Sequence, residues 1–437
     1  MVAWRGVGAG CAATAVLFVF VCCSGRWATA ARAPGECTGA GDCALNGDCV
    51  RGRCACDAAW SGAPDCARLA FVPPRALDDT LAVANASAAT WGGNSVWADG
   101  EWHMFHAQMA NGCNLSSWTR NSVVARSTSR SRAGPYVFQE IVVNHFAHNP
   151  KVHRLNDGTF ALFFIGGWAT AADECRHGEG RGGPGDGKAS TSTSTHTSTN
   201  LDAADACTQW AWPKTCGSAM PGPDGDTCGP EALGGNGGCG LAVATAPSVR
   251  GPWNVSRVVI EDRWRSDNFY CAFTNPSAVF SPTSDGGLVT MAFNAGFCNG
   301  GLESIGLARA PSLYGPWRLL VPEPFTGRQT EDPFLWRSKR GWHLLIHDFG
   351  GKEVSLWFSA DALTWTEARG APYDCFVVLA DGSRREFPGC GNRPQIEIDD
   401  LGVPVLLLHG ALVAHGEVDS LLLARPLKQP VEDVARL

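Results

Sequence analysis

Short runs of alternating apolar and polar residues recur along the chain, and each is opened by a polar residue and a turn breaker. The clearest is Thr330-Glu331-Asp332-Pro333-Phe334-Leu335-Trp336, a short polar turn, then Trp342-His343-Leu344-Leu345-Ile346-His347-Asp348. Asn149-Pro150 and Asn275-Pro276 open similar pairs of runs, the second of each lying past Asn156-Asp157-Gly158 or Asp285-Gly286-Gly287. Arg393-Pro394 opens another, and Gly93-Asn94 a fifth without the proline. Period-two alternation bounded by Gly, Pro, Asn and Asp predicts paired strands. A second signature closes the units: Gly134-Pro135-Tyr136, Gly251-Pro252-Trp253 and Gly315-Pro316-Trp317, with weaker forms at Trp357 to Trp365 and Leu423 to Pro426.

Each unit thus offers four short strands, which cannot bury both faces alone; five such units stacked around an axis can. The predicted fold is all-β, a five-bladed β-propeller over residues 71–437, with blades near 91–141, 148–260, 275–320, 331–370 and 393–428. Blade two carries an insertion. Its Gly/Ser/Thr tract, about 176–206, lacks the apolar residues to pack a core and is expected to be disordered.

Composition changes the picture at the N-terminus. The chain has 437 residues and 19 cysteines, too many for an ordinary cytosolic protein. Arg5 precedes an apolar run over 7–23, and Ala28-Thr29-Ala30 offers a cleavage site, so residues 1–30 read as a signal peptide or, alternatively, an uncleaved anchor. Either places the remainder in the lumen or outside. Asn85, Asn114 and Asn254 head glycosylation tripeptides. The net charge of −7 gives no reason to expect a nucleic-acid partner. Membrane association is expected only through the N-terminal segment, and oligomeric state is left open.

Residues 37–66 carry six cysteines spaced C-x5-C-x5-C-x4-C-x-C-x9-C around Asn46-Gly47-Asp48 and Trp60-Ser61-Gly62. The segment resembles an EGF-like domain, which implies the pairs Cys37–Cys49, Cys43–Cys54 and Cys56–Cys66; spacing alone leaves fifteen connectivities. So short a module depends on its bridges to fold. It serves either as a spacer for adhesion or as a cap. Ten further cysteines, among them Cys113, Cys375 and Cys390, suit five bridges better than a zinc site, since no C-x2-C pair is present.

In a propeller the ends of the inner strands converge on a central pocket. Asn94, Asn149, Asn275, Arg393 and the Glu331-Asp332 pair are the expected lining, joined by His106, Trp168, Asn294, His347, Asp348 and His409 from the ends of the second strands. Amides and imidazoles with a tryptophan face suit sugar hydroxyls. The five units, x-x-Pro openings and Ala-Pro-Ser…Gly-Pro-Trp repeats resemble glycoside hydrolase family 43 and its five-bladed relatives over residues 90–428. That resemblance implies a polysaccharide or glycan partner, an Asp base in blade one, an Asp tuning pKa in the following blades, and a Glu acid often followed by Pro. Glu331 matches the acid. Asn149 and Asn275 stand where the family places Asp-Pro, and an amide does not titrate near neutral pH.

Because Glu331 and Asp332 are adjacent on a strand, their side chains are expected on opposite faces. Asp348 is therefore the favoured second carboxylate, with Asp332, Asp267, His106 and His347 as alternatives. For Asp332 the alternative role is to cap backbone N–H groups. No cofactor is required. The resemblance leaves room for a central calcium ion, although His106, His347 and His409 make poor ligands for a hard cation. The chain reads as a glycoside-hydrolase-like protein or, alternatively, a non-catalytic glycan-binding propeller.

Overall fold

A computed structural model describes residues 36–62, 64–84, 88–144, 146–166, 240–261, 272–282, 286–296, 303–350, 352–414 and 418–430. The expected signal or anchor, the Gly/Ser/Thr tract, Asn85, Trp168 and Asp267 lie outside these residues.

The protein is an all-β, five-bladed propeller. Blade one comprises strands Thr90–Ala98, Glu101–Met109, Ser122–Ser129 and Val137–Val143 from the axis outward. Blade two comprises Ala147–Arg154, Phe160–Gly166, Gly240–Ala246 and Asn254–Arg257, and blade three Ala272–Phe280, Val289–Gly296, Glu303–Ala310 and Arg318–Leu319. Blade four follows with Thr330–Ser338, Gly341–Asp348, Glu353–Ser359 and Thr366–Glu367. All are antiparallel meanders, and apart from the insertion between Gly166 and Gly240 most of the connecting turns are short, with residues that suit them. Asp399, for example, accepts from the N–H groups of Leu401 and Val403, and Gly402 supplies a positive φ of 79°.

Blade five departs from the expected four-stranded unit. Its own run supplies three strands, Gln395–Ile398, Pro404–Leu412 and Ser420–Pro426. The outer edge is covered from the other end of the propeller: Phe71 bridges Leu427 and Leu81 bridges Leu423, both antiparallel. The Val72 N–H donates to Pro426 O at 2.9 Å and the Ala82 N–H to Leu422 O at 3.0 Å. An unpaired outer edge is thereby removed and the ring is closed.

Each blade junction has its own buried cluster. Phe105 and Val124 meet Leu162 and Phe164 between blades one and two, Phe163 meets Met291 and Trp317 between two and three, and Ile305 meets Leu344 and Trp357 between three and four. Leu345 meets Leu407 between four and five, and Leu408 meets Met104 and Tyr136 between five and one. At roughly 1.5–3 kcal/mol for each large apolar side chain buried, the radial stack itself is the core. Trp97 stands outside this packing, at 46% exposed.

The EGF-like segment has the disulfides that the resemblance implies, Cys37–Cys49, Cys43–Cys54 and Cys56–Cys66. It is docked on blade four. Trp60 stacks on Trp336 at 6.3 Å, and Arg340 reaches Asp48 at 3.1 Å and Asp57 at 2.6 Å. Its core is continuous with the junction of blades four and five, which is the arrangement of a cap. In the propeller, Cys375 pairs with Cys390 and Cys113 is also disulfide-bonded. Among the described residues no helix is long and apolar enough to cross a membrane. Of the tripeptide asparagines, Asn254 is exposed and Asn114 half-buried.

Candidate functional site

The site grows out of a backbone irregularity repeated in every blade. Asn149, Asn275, Asp332 and Arg393 all have left-handed φ, 51°, 52°, 57° and 45°, and each is followed by proline. In blades two, three and four the ladder to the second strand skips there, as Asn149-Pro150, Asn275-Pro276 and Asp332-Pro333 bulge out of register. Asn and Asp tolerate this conformation because their short polar side chains bond locally, and a proline removes the N–H that a ladder would need.

In blade one the corresponding bulge falls at Gly92, between Trp91 and Gly93. A Cβ on Gly92 would come within 2.0 Å of Arg393 Cγ, so the close approach requires glycine. The expected position, Asn94, lies two residues further along. Its amide donates to Val152 O at 2.9 Å and accepts from Val152 N–H at 2.7 Å, splicing blade one to blade two rather than lining a pocket.

The bulged residues meet on the axis and bond to one another. Asn149 Nδ2 donates to Asn275 Oδ1 at 2.8 Å and to Asp332 Oδ1 at 3.2 Å. Arg393 N–H donates to Asp332 Oδ2 at 3.0 Å, and its guanidinium donates to Pro276 O at 2.8 Å and Asn149 O at 3.1 Å. Asn294 Oδ1 accepts from Asp332 N–H at 3.0 Å. Asn149, Asn275, Asn294 and Arg393 are all buried. The sequence reading gave them to substrate; the structure gives them to a hub that pins the blades. Asp332 takes its alternative role, accepting a backbone N–H at the start of a blade.

Above the hub lies a group of acids. Strict alternation would carry the carboxylates of Glu331 and Asp332 apart, but with the left-handed backbone at Asp332 an oxygen of each comes near the other. One ligand atom from each of Glu331, Asp332 and His347 lies within 4.8 Å of the others. His347 Nδ1 sits 3.0 Å from Glu331 Oε1. Burial alone would lower the His347 pKa, but this hydrogen bond and the charges of Glu331, Asp332 and Glu353 raise it. Burial, then the Glu331 charge, lifts Asp332 to about 6 against the pull of Arg393.

Asp348 does not join them. It pairs with Thr330 across the ladder, one residue out of phase with the Glu331–His347 pair, and so faces the other side of the blade. There it receives Arg328 Nε at 3.0 Å while the same guanidinium reaches Glu367 at 2.8 Å. Despite burial, those bonds hold Asp348 below the usual carboxylate range. It is a buttress at the rim.

A residue that sequence reasoning missed is Glu303. It begins the third strand of blade three, two residues before Ile305, which pairs with Asn294. Glu303 therefore shares the face from which Asn294 reaches Asp332. It is 5% exposed and its Oε2 has no hydrogen-bond partner. Burial, then the charges of Glu331 and Asp332, push its carboxyl up to about 8. Nothing in the stretch Leu302-Glu303-Ser304 marks it in the sequence, since its chemistry comes from neighbours supplied by another blade.

The folds this chain resembles are those of glycoside hydrolases. A family 117 glycoside hydrolase from the marine bacterium Zobellia galactanivorans is 11% identical, with 83% of this chain and 90% of that one covered at a TM-score of 0.46. A GH43_1 enzyme from Xanthomonas citri, complexed with xylose, is 10% identical over 80% and 90% of the two chains at 0.45. The catalytic domain of a GH62 α-L-arabinofuranosidase from Coprinopsis cinerea is 10% identical over 85% and 97%, also at 0.45. No family model matches, and no curated protein matches. So loose a likeness is silent on which bond, if any, this chain cleaves.

The remaining histidines belong to the walls. His106 is fully buried, with Nε2 3.0 Å from Ser127 Oγ, and burial lowers it to about 4. His409 Nδ1 lies 3.1 Å from Cys390 O and 3.2 Å from Gly410 O, so it donates to carbonyls, and burial lowers the ring to about 3. Neither belongs to the Glu331–Asp332–His347 group. That group does not make a calcium cage, because calcium takes six to eight oxygens. It offers two carboxylates and an imidazole, and both Asp332 oxygens already serve the hub.

Proposed function

We propose that the protein binds a glycan at the mouth of the central channel, beside Glu303, Glu331 and His347, and hydrolyses a glycosidic bond, with Glu303 as proton donor and Glu331 as the ionised partner oriented by His347. One observation carries the reading: the Glu303 carboxyl lies within reach of the Glu331 charge from the neighbouring blade, and burial keeps it protonated at neutral pH while Glu331 holds an imidazole. Glycoside cleavage needs such a division, one group to protonate the leaving oxygen and another to activate water or attack the sugar. Asp348, committed to Arg328, drops out of the pair. The disulfides support an extracellular setting, where a polysaccharide would be met.

A second reading is a glycan-binding propeller without turnover. Gly92, Asn149 and Asn275 favour it, since none of them titrates at the positions where the resemblance implies carboxylates.

The test is a glycan panel scored for both binding and product with wild type, Glu303→Gln and Glu331→Gln. Hydrolysis that falls by roughly 10²–10⁴-fold in both variants supports the acid–partner assignment. Binding by all three proteins with no product from any leaves the second reading.

A further inference from the structure

A cavity of about 220 Å³ lies where the closing segment meets blade five and the hairpin formed by Phe376–Val378 and Arg384–Glu386. Its walls are mostly apolar, with Phe71, Pro73, Pro74, Phe376 and Val378 among them, and its polar lining is Thr80, the Arg68–Asp374 ion pair and Arg425. Of these polar groups Arg425 is the charged one that is buried, at only 7% exposed. Its guanidinium carbon stands 3.7 Å from the centre of the Phe71 ring.

Arg425 differs from the other arginines that are buried among the described residues. Arg126 bonds Glu140 and His103, and Arg393 bonds three carbonyls of the hub. Among the described residues Arg425 has neither a hydrogen bond nor an ion pair. The nearby Asp374 carboxylate favours the Arg425 charge electrostatically, but its hydrogen bonds go to Arg68 at the rim. Burial draws Arg425 down to about 10, which still leaves it cationic at neutral pH. A buried charge is costly unless paired, and a guanidinium's fork matches a carboxylate.

We propose that this cavity is a binding site for a carboxylate borne on a compact apolar body, its oxygens on Arg425 and its apolar part against Phe71, Pro73 and Phe376. The cavity is smaller than a drug-sized pocket, so the body is about one amino-acid residue or one aromatic ring in size. Such a group is offered by a free organic acid or by the C-terminal residue of a peptide.

Calorimetric titration of the full extracellular chain with phenylacetate, phenylacetamide, and a short peptide ending in phenylalanine, as acid and as amide, tests this. Each acid should bind saturably and at least roughly tenfold more tightly than its amide. Arg425→Met should remove that preference without lowering the unfolding temperature, since it deletes an unpaired buried charge. Val378→Glu, at an exposed rim position, should weaken both acids while leaving Arg425 in place. A peptide acid that outbinds phenylacetate assigns the site to a chain terminus, and the reverse assigns it to a small acid; either supports the site. Equal binding of acid and amide, no binding of either acid, or undiminished binding of acid by Arg425→Met overturns it. If Arg425→Met fails to fold, undiminished binding of acid by Val378→Glu does the same.

Discussion

Glu331 and Asp332 are neighbours in sequence and belong to two different regions. Asp332 looks into the hub, where its oxygens meet Asn149 and the Arg393 backbone, and where most polar groups are paired between blades, Asn149 Oδ1 and Arg393 Nε excepted. Glu331 looks into the mouth, where Glu303, Glu331 and His347 bring more acid than the surrounding donors can satisfy. Matched polar groups rigidify, whereas unmatched ones titrate. The contrast teaches that the axis of this propeller is mechanical and its rim is chemical, with one peptide bond between the two.

The hub side of the contrast breaks most readily at Arg393. Arg393→Met should cost about 3–5 kcal/mol in urea unfolding, because it strands the carbonyls of Asn149, Pro276 and Pro333 in the interior and removes the cation beside Asp332. A neutral result would mean that the hub does not hold the blades. The mouth side is sharpened by Glu303. Its folded pKa, about 8, lies above the ordinary 4.5, so its contribution to stability is full below about 4.5 and is lost as pH rises through 8. Wild type should therefore lose about 3 kcal/mol more than Glu303→Gln between pH 5 and 8. Parallel pH profiles for the two proteins would remove the distinction between the regions.

Asp332→Asn should cost about 2 kcal/mol, since an amide N–H₂ must then face either the Asn149 amide or the Arg393 N–H. Activity surviving at a lower melting temperature would confirm a hub role; selective loss of activity would move Asp332 into the mouth. The smallest effect expected is from Arg340→Ala at the EGF-like cap. Its partners Asp48 and Asp57 are exposed, so about 1 kcal/mol is expected, sensitive to salt.

Much of the fold was legible because its signals are local. Asn149-Pro150, Asn275-Pro276, Asp332-Pro333 and Arg393-Pro394 each announce a bulge through residues that tolerate it. Blade one was misread by two residues because its bulge is a single glycine, Gly92, without a proline to mark it. Asp348 was misassigned because the bulge at Asp332-Pro333 shifts the phase between strands, and simple alternation cannot register that. Glu303 was invisible for another reason. A glutamate becomes an acid with a raised pKa only when burial and foreign charges surround it, and both come from contacts between blades.

The closing segment has a consequence in time. The residues around Phe71 and Leu81 are among the first of the propeller to be made, and their partners Leu427 and Leu423 are among the last. Until synthesis reaches those partners, the early segment cannot take its final place, and blade five lacks both its third strand and its cover. The final step of folding is thus a long-range capture. A chain stopped short of Leu423 would leave the first blade and the cap in place on a ring that cannot shut.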